Sequence, residues 1–118
     1  MYEAGGQLYN KMALFAVLNK SAIFILSQPK TEFWKQEVIP LESASESSKK
    51  QKIIDLMLTM GKPSKSSSIG TLFIAKNRRG EDSKVIRLKI DGSNARMSHI
   101  SEDEYIAIKN KERNSDSD

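Results

Sequence analysis

The stretch from Ser83 to Ile90 alternates apolar and charged side chains, and this alternation constrains the fold more than any other part of the chain. Successive side chains of a strand point to opposite faces of its sheet. One face of such a strand is aliphatic and consists of Ile86, Leu88 and Ile90. The other face consists of Val85, Arg87 and Lys89. We therefore predict a strand that packs its aliphatic face and turns its charged face outward.

Two more strands are predicted around it, each separated from it by a polar turn. Residues 69–76 are rich in the β-branched and aromatic residues that strands favour, and residues 95–100 form the third candidate. The segments 77–80 and 91–94 contain the Asn, Asp and Gly residues that tight turns require. Residues 68–101 are thus predicted to form a three-stranded antiparallel meander with a basic outer face.

A helix is predicted to follow the meander directly. Ser101 and Glu104 have the spacing of a capping box, in which each residue satisfies a backbone N–H group at the start of a helix. Ile100 and Tyr105 have the spacing of the hydrophobic staple that accompanies it. We expect this helix to begin after Ser101 and to end near Glu112.

Another helix is predicted from Lys49 to Met60. Its apolar residues recur at helical spacing and form one stripe, which consists of Ile53, Leu56, Met57 and Met60. Gly61 and Pro63 follow and would end the helix.

The N-terminal region is strongly apolar, and its periodicity leaves two structures open. Residues 11–18 and 22–27 are predicted to form a hairpin of buried strands, and one helix through residues 8–26 fits the same pattern. A further strand is predicted from Thr31 to Ile39, between two prolines. One small sheet can barely bury the apolar run from Met12 to Leu26, so a homodimer is expected.

These elements together predict an α+β protein with antiparallel sheets and two helices. The length of 118 residues fits a single domain, which we place at residues 1–113. Residues 8–61 and 68–113 share one plan of three strands and a helix, which leaves open a tandem βββα repeat. Residues 114–118 are expected to form a flexible acidic tail.

Composition limits where such a chain is expected to work. It contains no cysteine, which excludes disulfides and thiolate metal sites. The longest apolar run is interrupted and shorter than the roughly 20 residues that cross a bilayer. The N-terminus lacks the basic segment of a signal peptide. We expect an intracellular protein with no membrane contact, and the sequence does not distinguish cytoplasm from nucleoid or nucleus.

Charge is distributed unevenly along the chain. Residues 49–100 carry twelve Lys or Arg against four acidic residues, whereas the flanking regions are neutral or acidic. A basic middle of this kind is typical of proteins that contact phosphates, because each Lys or Arg contact releases counterions from nucleic acid. A solvated basic surface that binds no anion gives the same pattern.

Catalysis is not expected. His99 is the only histidine, and no serine or carboxylate has a spacing that would make it a general base. The sequence contains no phosphate-binding Walker motif, no dinucleotide fingerprint and no complete calcium loop. We predict no enzyme activity, no cofactor and no metal site.

The segments IGTLFIAK, VIRLKI and HISEDEYIAI give the second half of the chain a resemblance to a known family. Their order resembles that of the transcriptional coactivator PC4, Whirly and PUR family of single-strand nucleic-acid-binding proteins, although that family has four strands where we count three. The resemblance implies a curved sheet that binds single-stranded DNA or RNA on its face. The phosphate contacts that it implies are Arg78, Arg79, Lys84, Arg87, Lys89 and Arg96. The aromatic residues that it offers for base stacking, which equally fit a core, are Phe33, Trp34 and Phe73.

Protein binding is the alternative function. A small protein-binding regulator, or a phage-type inhibitor of a host factor, would use the apolar N-terminal region on its partner or on its own copy. Dependence of nucleic-acid affinity on salt separates the two functions.

Overall fold

The computed structural model of the protein describes residues 2–44 and 53–116, with side chains for residues 8–43 and 53–115. In chain order the elements are helix α1 (Tyr2–Leu18), two short 3₁₀ helices (Thr31–Phe33 and Leu41–Ala44), strands β1 (Leu56–Gly61), β2 (Ile69–Asn77), β3 (Lys84–Asp91) and β4 (Arg96–His99), and helix α2 (Glu102–Asp116). The two helices and the antiparallel sheet confirm the predicted α+β class.

The four strands form one antiparallel sheet in the order β1-β2-β3-β4. The register places Thr71 of β2 between Gly61 of β1 and Arg87 of β3. Lys89 of β3 lies opposite Ser98 of β4. The predicted meander is therefore present, with β1 added at one edge.

The turns of the meander form as their polar residues predict. In the β2–β3 turn the Asn77 side chain accepts a hydrogen bond from the Arg79 N–H and donates one to the Glu81 carbonyl. In the β3–β4 turn the Asp91 carboxylate accepts hydrogen bonds from Ser93 and Asn94. These local bonds hold the turns without help from the core.

Helix α2 begins where the capping signal predicts. The Ser101 hydroxyl accepts a hydrogen bond from the Glu104 N–H at 3.2 Å, and both staple residues, Ile100 and Tyr105, are buried. The helix continues to Asp116, four residues beyond its predicted end at Glu112. Residues 117–118 lie outside the described part of the chain.

The core is small and lies between α2 and the sheet. Ile69, Ile100 and Tyr105 form its buried cluster, and Ile108 packs against them. Helix α2 lies on β2 and β3, on the side where the Arg87 guanidinium covers the Tyr105 ring. We call this side of the sheet the covered face.

The opposite side of the sheet is aliphatic, and we call it the open face. Leu58 and Met97 on this face are 51% and 55% exposed. By strand register its aliphatic residues are Leu56, Leu58, Met60, Leu72, Ile74, Ile86, Leu88, Ile90 and Met97, and Gly70, Lys84 and His99 lie on the same face. The prediction that Arg87 faces outward is therefore wrong, because its guanidinium lies against Tyr105 of α2. Leu88 is nevertheless buried, and Val85 and Lys89 are exposed, as predicted for these residues.

The predicted N-terminal hairpin is also wrong. Residues 2–18 form a helix, and the chain from 21 to 30 continues without regular structure. Residues 12–18 include Met, Ala and Leu, which favour helices, and only one β-branched residue, Val17. Lys20 then adopts a left-handed φ of 50°, and its neighbours bond back to the last turn of α1.

The predicted strand from Thr31 to Ile39 is replaced by a 3₁₀ helix and turns. The Phe33 and Trp34 N–H groups bond to carbonyls three residues earlier. The segment nevertheless reaches the sheet, because the Thr59 hydroxyl donates a hydrogen bond to the Ile39 carbonyl at 2.6 Å.

The predicted helix from Lys49 to Met60 is wrong in its second half. Residues 49–52 lie outside the described part, Ile53 is helical, and Leu56–Gly61 is strand β1 with burial that alternates along it. The sequence LMLTM fits the period of a helix and the period of a strand, and hydrogen bonding to β2 stabilises the strand. Since β1 joins the sheet of the second half and residues 2–44 contain no strand, the tandem repeat of residues 8–61 and 68–113 is not present.

Candidate nucleic-acid interface

The predicted phosphate contacts do not form a single patch. Arg78, Arg79 and Lys84 lie at the β2–β3 turn, at one end of the sheet. Arg78 forms a salt bridge with Asp55 at 2.6 Å. Arg79 and Lys84 are exposed, so this turn offers two cations to an anion beside two acidic residues of the same turn, Glu81 and Asp82.

Arg87 is built into the packing of α2. Its guanidinium lies 4.1 Å from the centre of the Tyr105 ring and donates hydrogen bonds to Glu102 and to the Thr71 hydroxyl. The hydrogen bond with Glu102 raises the pKa of Arg87, and the same bond lowers the pKa of the Glu102 carboxyl. Its donors are used within the protein, so Arg87 fits a structural role.

Lys89 lies two residues further along β3, beside a groove of about 460 Å³. The β1–β2 loop, with the sequence KPSKSSS, forms one wall of this groove, and the last turns of α2 form the other. The polar residues that line it are Ser64, Ser66, Ser67, Ser68, Lys89, Lys111, Glu112 and Ser115. We call it the serine groove.

Glu112 fixes the loop to α2. Its carboxylate accepts hydrogen bonds from the Ser67 hydroxyl, the Ser68 hydroxyl and the Ser68 N–H, at 2.7, 2.7 and 3.0 Å. Partial burial raises the pKa of Glu112, but these bonds outweigh it and hold the pKa below its ordinary value. Glu112 thus has a structural role, and both of its carboxylate oxygens already accept hydrogen bonds from the loop.

A second groove, of about 390 Å³, lies on the other side of the same loop. Trp34 lies in it with its ring 55% exposed and its indole N–H bonded to the Pro29 carbonyl at 2.7 Å. Three lysines share this lining, namely Lys35, Lys62 and Lys65. We call it the tryptophan groove.

Gly61 brings the Trp34 segment close to the sheet. A Cβ atom at this position would overlap the backbone oxygens of Gln36 and Glu37. Only glycine lets the segment pack at this distance from the end of β1.

Ser64 lines both grooves, so they are neighbours across the β1–β2 loop. Together they make one surface with an exposed indole, four serines of the loop and five lysines, which are Lys35, Lys62, Lys65, Lys89 and Lys111. We call it the lysine–serine surface. None of these five lysines forms a salt bridge with a described residue.

The structure thus brings Lys89 and Trp34 to one surface and separates them from the other predicted site residues. Arg96 is exposed at the start of β4, opposite Asp91. Phe73 is partly buried on the covered face, between Thr59 and Val85. Phe73 therefore offers little ring surface to a base.

The sequence reasoning missed the β1–β2 loop, although its signal is visible. Lys62, Lys65 and four serines within seven residues stand between two apolar strands. The helical spacing of Ile53, Leu56, Met57 and Met60 hides this signal, because it does not predict strand β1 in front of the loop. Lys35 and Lys111 have no local signal, since only tertiary packing brings them to the loop.

The described residues contain no group of three His, Asp or Glu side chains that would hold a metal ion. Over the same residues, the helices are too short or too polar to span a membrane. Comparisons with family models, curated proteins and solved structures found no match to this chain.

Proposed function

We propose that this protein binds single-stranded nucleic acid, without catalysis, through the lysine–serine surface. The observation that carries the proposal is the exposed ring of Trp34 in a groove with three lysines, beside a second groove with Lys89 and Lys111. An aromatic ring that stacks a base, next to cations that contact the backbone, is the usual means of binding single strands without sequence preference.

The chemistry of the surface suits a phosphodiester chain. Lysine ammonium groups act as mobile point charges and release counterions when they meet phosphates. The Ser64 and Ser66 hydroxyls add neutral donors for phosphate or sugar oxygens, since the Ser67 and Ser68 hydroxyls donate to Glu112. The one acid of the surface, Glu112, has both carboxylate oxygens bonded to serines, which lessens its repulsion of an anion.

The order of elements also supports the proposal. The PC4, Whirly and PUR family has four strands, and residues 56–116 of this chain form four antiparallel strands followed by a helix. The contact surface differs from the sheet face that the resemblance implies, since the open face is aliphatic. Three of the predicted phosphate contacts lie at the opposite end of the sheet, namely Arg78, Arg79 and Lys84. They therefore contact only a nucleic acid that extends along the whole length of the sheet.

The first experiment measures binding directly. A labelled single strand of about 15 nucleotides, in DNA and RNA versions, is titrated at several salt concentrations. Affinity should fall linearly on a log–log plot, by about 0.7 in slope for each phosphate contact. Because Trp34 is the only tryptophan, stacking should also quench the intrinsic fluorescence. Absence of binding at low salt ends the proposal.

Two variants locate the site. Replacing Lys89 and Lys111 together by Ser should reduce the salt slope by about 1.4, the value for two lost contacts. The matched control removes the same charge at the far end of the sheet by Arg79→Ser and Lys84→Ser. An equal or larger loss in the control would move the site to the β2–β3 turn.

Trp34→Ala tests stacking separately from charge. It should weaken binding by about 1–3 kcal/mol while leaving the salt slope unchanged. Trp34→Phe keeps a ring and should retain most of the affinity. Unchanged affinity in the Ala variant would show that the indole does not contact bases.

Protein binding is the second candidate function, and the exposed apolar N-terminal region favours it. Leu14, Phe15 and Leu18 of α1 are exposed, as are Phe24 and Leu26 beyond it. Contiguous apolar surface of this kind usually marks an interface with another protein. A tagged full-length chain that retains one specific host protein, and loses it in the Phe24→Lys variant outside α1, would support this function.

A further inference from the structure

Most of the open face lacks the cover that an aliphatic sheet face normally has, although Leu88 near its centre is buried. Leu56, Leu58 and Met97 are each about half exposed, and Ile74 and Ile86 between them are partly exposed. Helix α2 lies on the other side of the sheet. A contiguous aliphatic surface that spans four strands is characteristic of an interface.

Helix α1 carries a second uncovered apolar surface. At 100° per residue, the partly buried Met12 and Ala16 lie on one side of the helix. Leu14 and Leu18 lie on the opposite side, with Phe15 beside Leu18, and all three are exposed. The last turn of the helix thus presents an apolar surface that its own chain leaves open.

Area decides which occupant fits the open face. Four strands about 4.8 Å apart and about 20 Å long give a face of roughly 400 Å². Two such faces packed on each other would bury about 800 Å² in total, which is the size of a crystal-packing contact. A helix about 25 Å long and about 10 Å wide covers roughly 250 Å², so two open faces that are each covered by one helix would bury about 1,000 Å² in total, which reaches the lower limit for a specific interface.

We propose that the protein is a symmetric dimer in which α1 of each copy covers the open face of the other. The exchange removes both apolar surfaces from water in one step, and a twofold axis makes the two contacts identical. The inference concerns the opposite side of the sheet from α2 and does not depend on nucleic-acid binding.

The first test measures mass by light scattering on the full-length protein. The parent should have twice the mass of one chain at micromolar concentration. A lysine at either half of the contact, in Leu58→Lys or Phe15→Lys, should raise the dissociation constant at least about 30-fold, because it buries an unpaired charge. Ile106→Lys is the matched control, since Ile106 is 46% exposed on α2 and lies outside the contact. A parent that stays monomeric, or a control that dissociates equally, overturns the proposal.

The second test uses the absence of cysteine in the chain. Phe15→Cys and Ile86→Cys proteins are mixed and oxidised, and the disulfide-linked species are identified by mass. The proposal predicts a mixed disulfide between the two variants. Disulfides that form within the Ile86→Cys protein alone would mean that two open faces meet each other. A double variant that bonds only within one chain would mean that α1 folds back on its own sheet. Either of these results overturns the exchange of helices.

Discussion

The two faces of the sheet are built from opposite kinds of side chains, and the more polar one is covered. On the covered face Arg87, Thr71 and Tyr105 lie under or within α2. On the open face the central residues are leucine and isoleucine, including Leu72 and Ile86. Alternation in a strand therefore defines two faces, but it does not tell which face a helix will cover.

The covered face is stable because its polar groups are satisfied in a chain of contacts. Arg87 donates to the Thr71 hydroxyl, Thr71 donates to the Tyr105 hydroxyl, and Tyr105 donates to Glu37. Lys109 of α2 forms a salt bridge with the same Glu37 carboxylate. The network links β2, β3, α2 and the segment after the first 3₁₀ helix, so burial of these groups costs little.

The largest expected effect comes from removing the centre of this face. Tyr105 is 1% exposed, and Tyr105→Ala should lower the free energy of unfolding by about 3–5 kcal/mol through lost burial and the cavity left behind. Urea denaturation measures it. Tyr105→Phe keeps the ring and should lose only about 1 kcal/mol for the hydroxyl contacts. A loss below about 1 kcal/mol in the Ala variant would mean that α2 is not held by this residue.

The next effect concerns two cations on the same strand. Arg87→Ala removes the stacked guanidinium and its bonds to Thr71 and Glu102, and it should cost about 2 kcal/mol of stability. Lys89→Ala is the control on the same side of β3 and should stay within about 0.5 kcal/mol. Equal losses in the two variants would contradict the structural role of Arg87. Urea denaturation of both variants and the parent in the same buffer measures these losses in the free energy of unfolding.

The second half of the chain was predictable because its signals are local. The turn residues Asn77 and Asp91 bond to their own neighbours, and Ser101 caps the helix that follows it. The packing of Arg87 against α2 was not predictable, because Arg87 is satisfied by Glu102, which lies fifteen residues further along the chain. Partners at that distance are invisible to a pattern of alternation.

The secondary structure of the first half of the chain could not be predicted, for other reasons. Residues 12–18 are apolar without a period, so a helix and a strand fit equally. The sequence of strand β1 fits the period of a helix and that of a strand, and only its pairing with β2 determines that it forms a strand. Of the candidate site, the lysines and serines of the β1–β2 loop were visible in the sequence. The approach of Trp34 to that loop was not visible in the sequence, because it depends on the close packing that Gly61 allows.

Acid should weaken the covered face mainly through its two partly buried carboxyls, those of Glu37 and Glu112. Burial raises the pKa of Glu37, but the hydrogen bond and charge of Lys109 bring it below its ordinary value, and the pKa of Glu112 is lowered by its serine bonds. A carboxyl with a lowered pKa stabilises the fold above its unfolded pKa of about 4.3. Stability should therefore be steady from neutral pH to about 5 and decrease below about 4.

Glu112→Gln sharpens this prediction because it keeps the size of the side chain and removes the titration. It should lower stability at neutral pH by about 1 kcal/mol and make the decrease below pH 4 shallower. Denaturation of the parent and the variant across this pH range measures both effects. A variant whose acid profile is identical to that of the parent would show that Glu112 does not contribute to it.

The smallest loss of stability is expected from a substitution on the open face. Its dependence on protein concentration shows whether a second copy covers that face. Met97 is half exposed on edge strand β4, so Met97→Ala should lower stability by about 0.5 kcal/mol in dilute solution. Ile69→Ala on the covered face, where the side chain is fully buried, should cost about 2–5 kcal/mol. If a second copy covers the open face, the Met97→Ala loss should grow as protein concentration rises, because association stabilises the folded chain by mass action. The Ile69→Ala loss should change much less over the same range. A large Met97→Ala loss at every concentration would instead mean that the chain covers this face by itself.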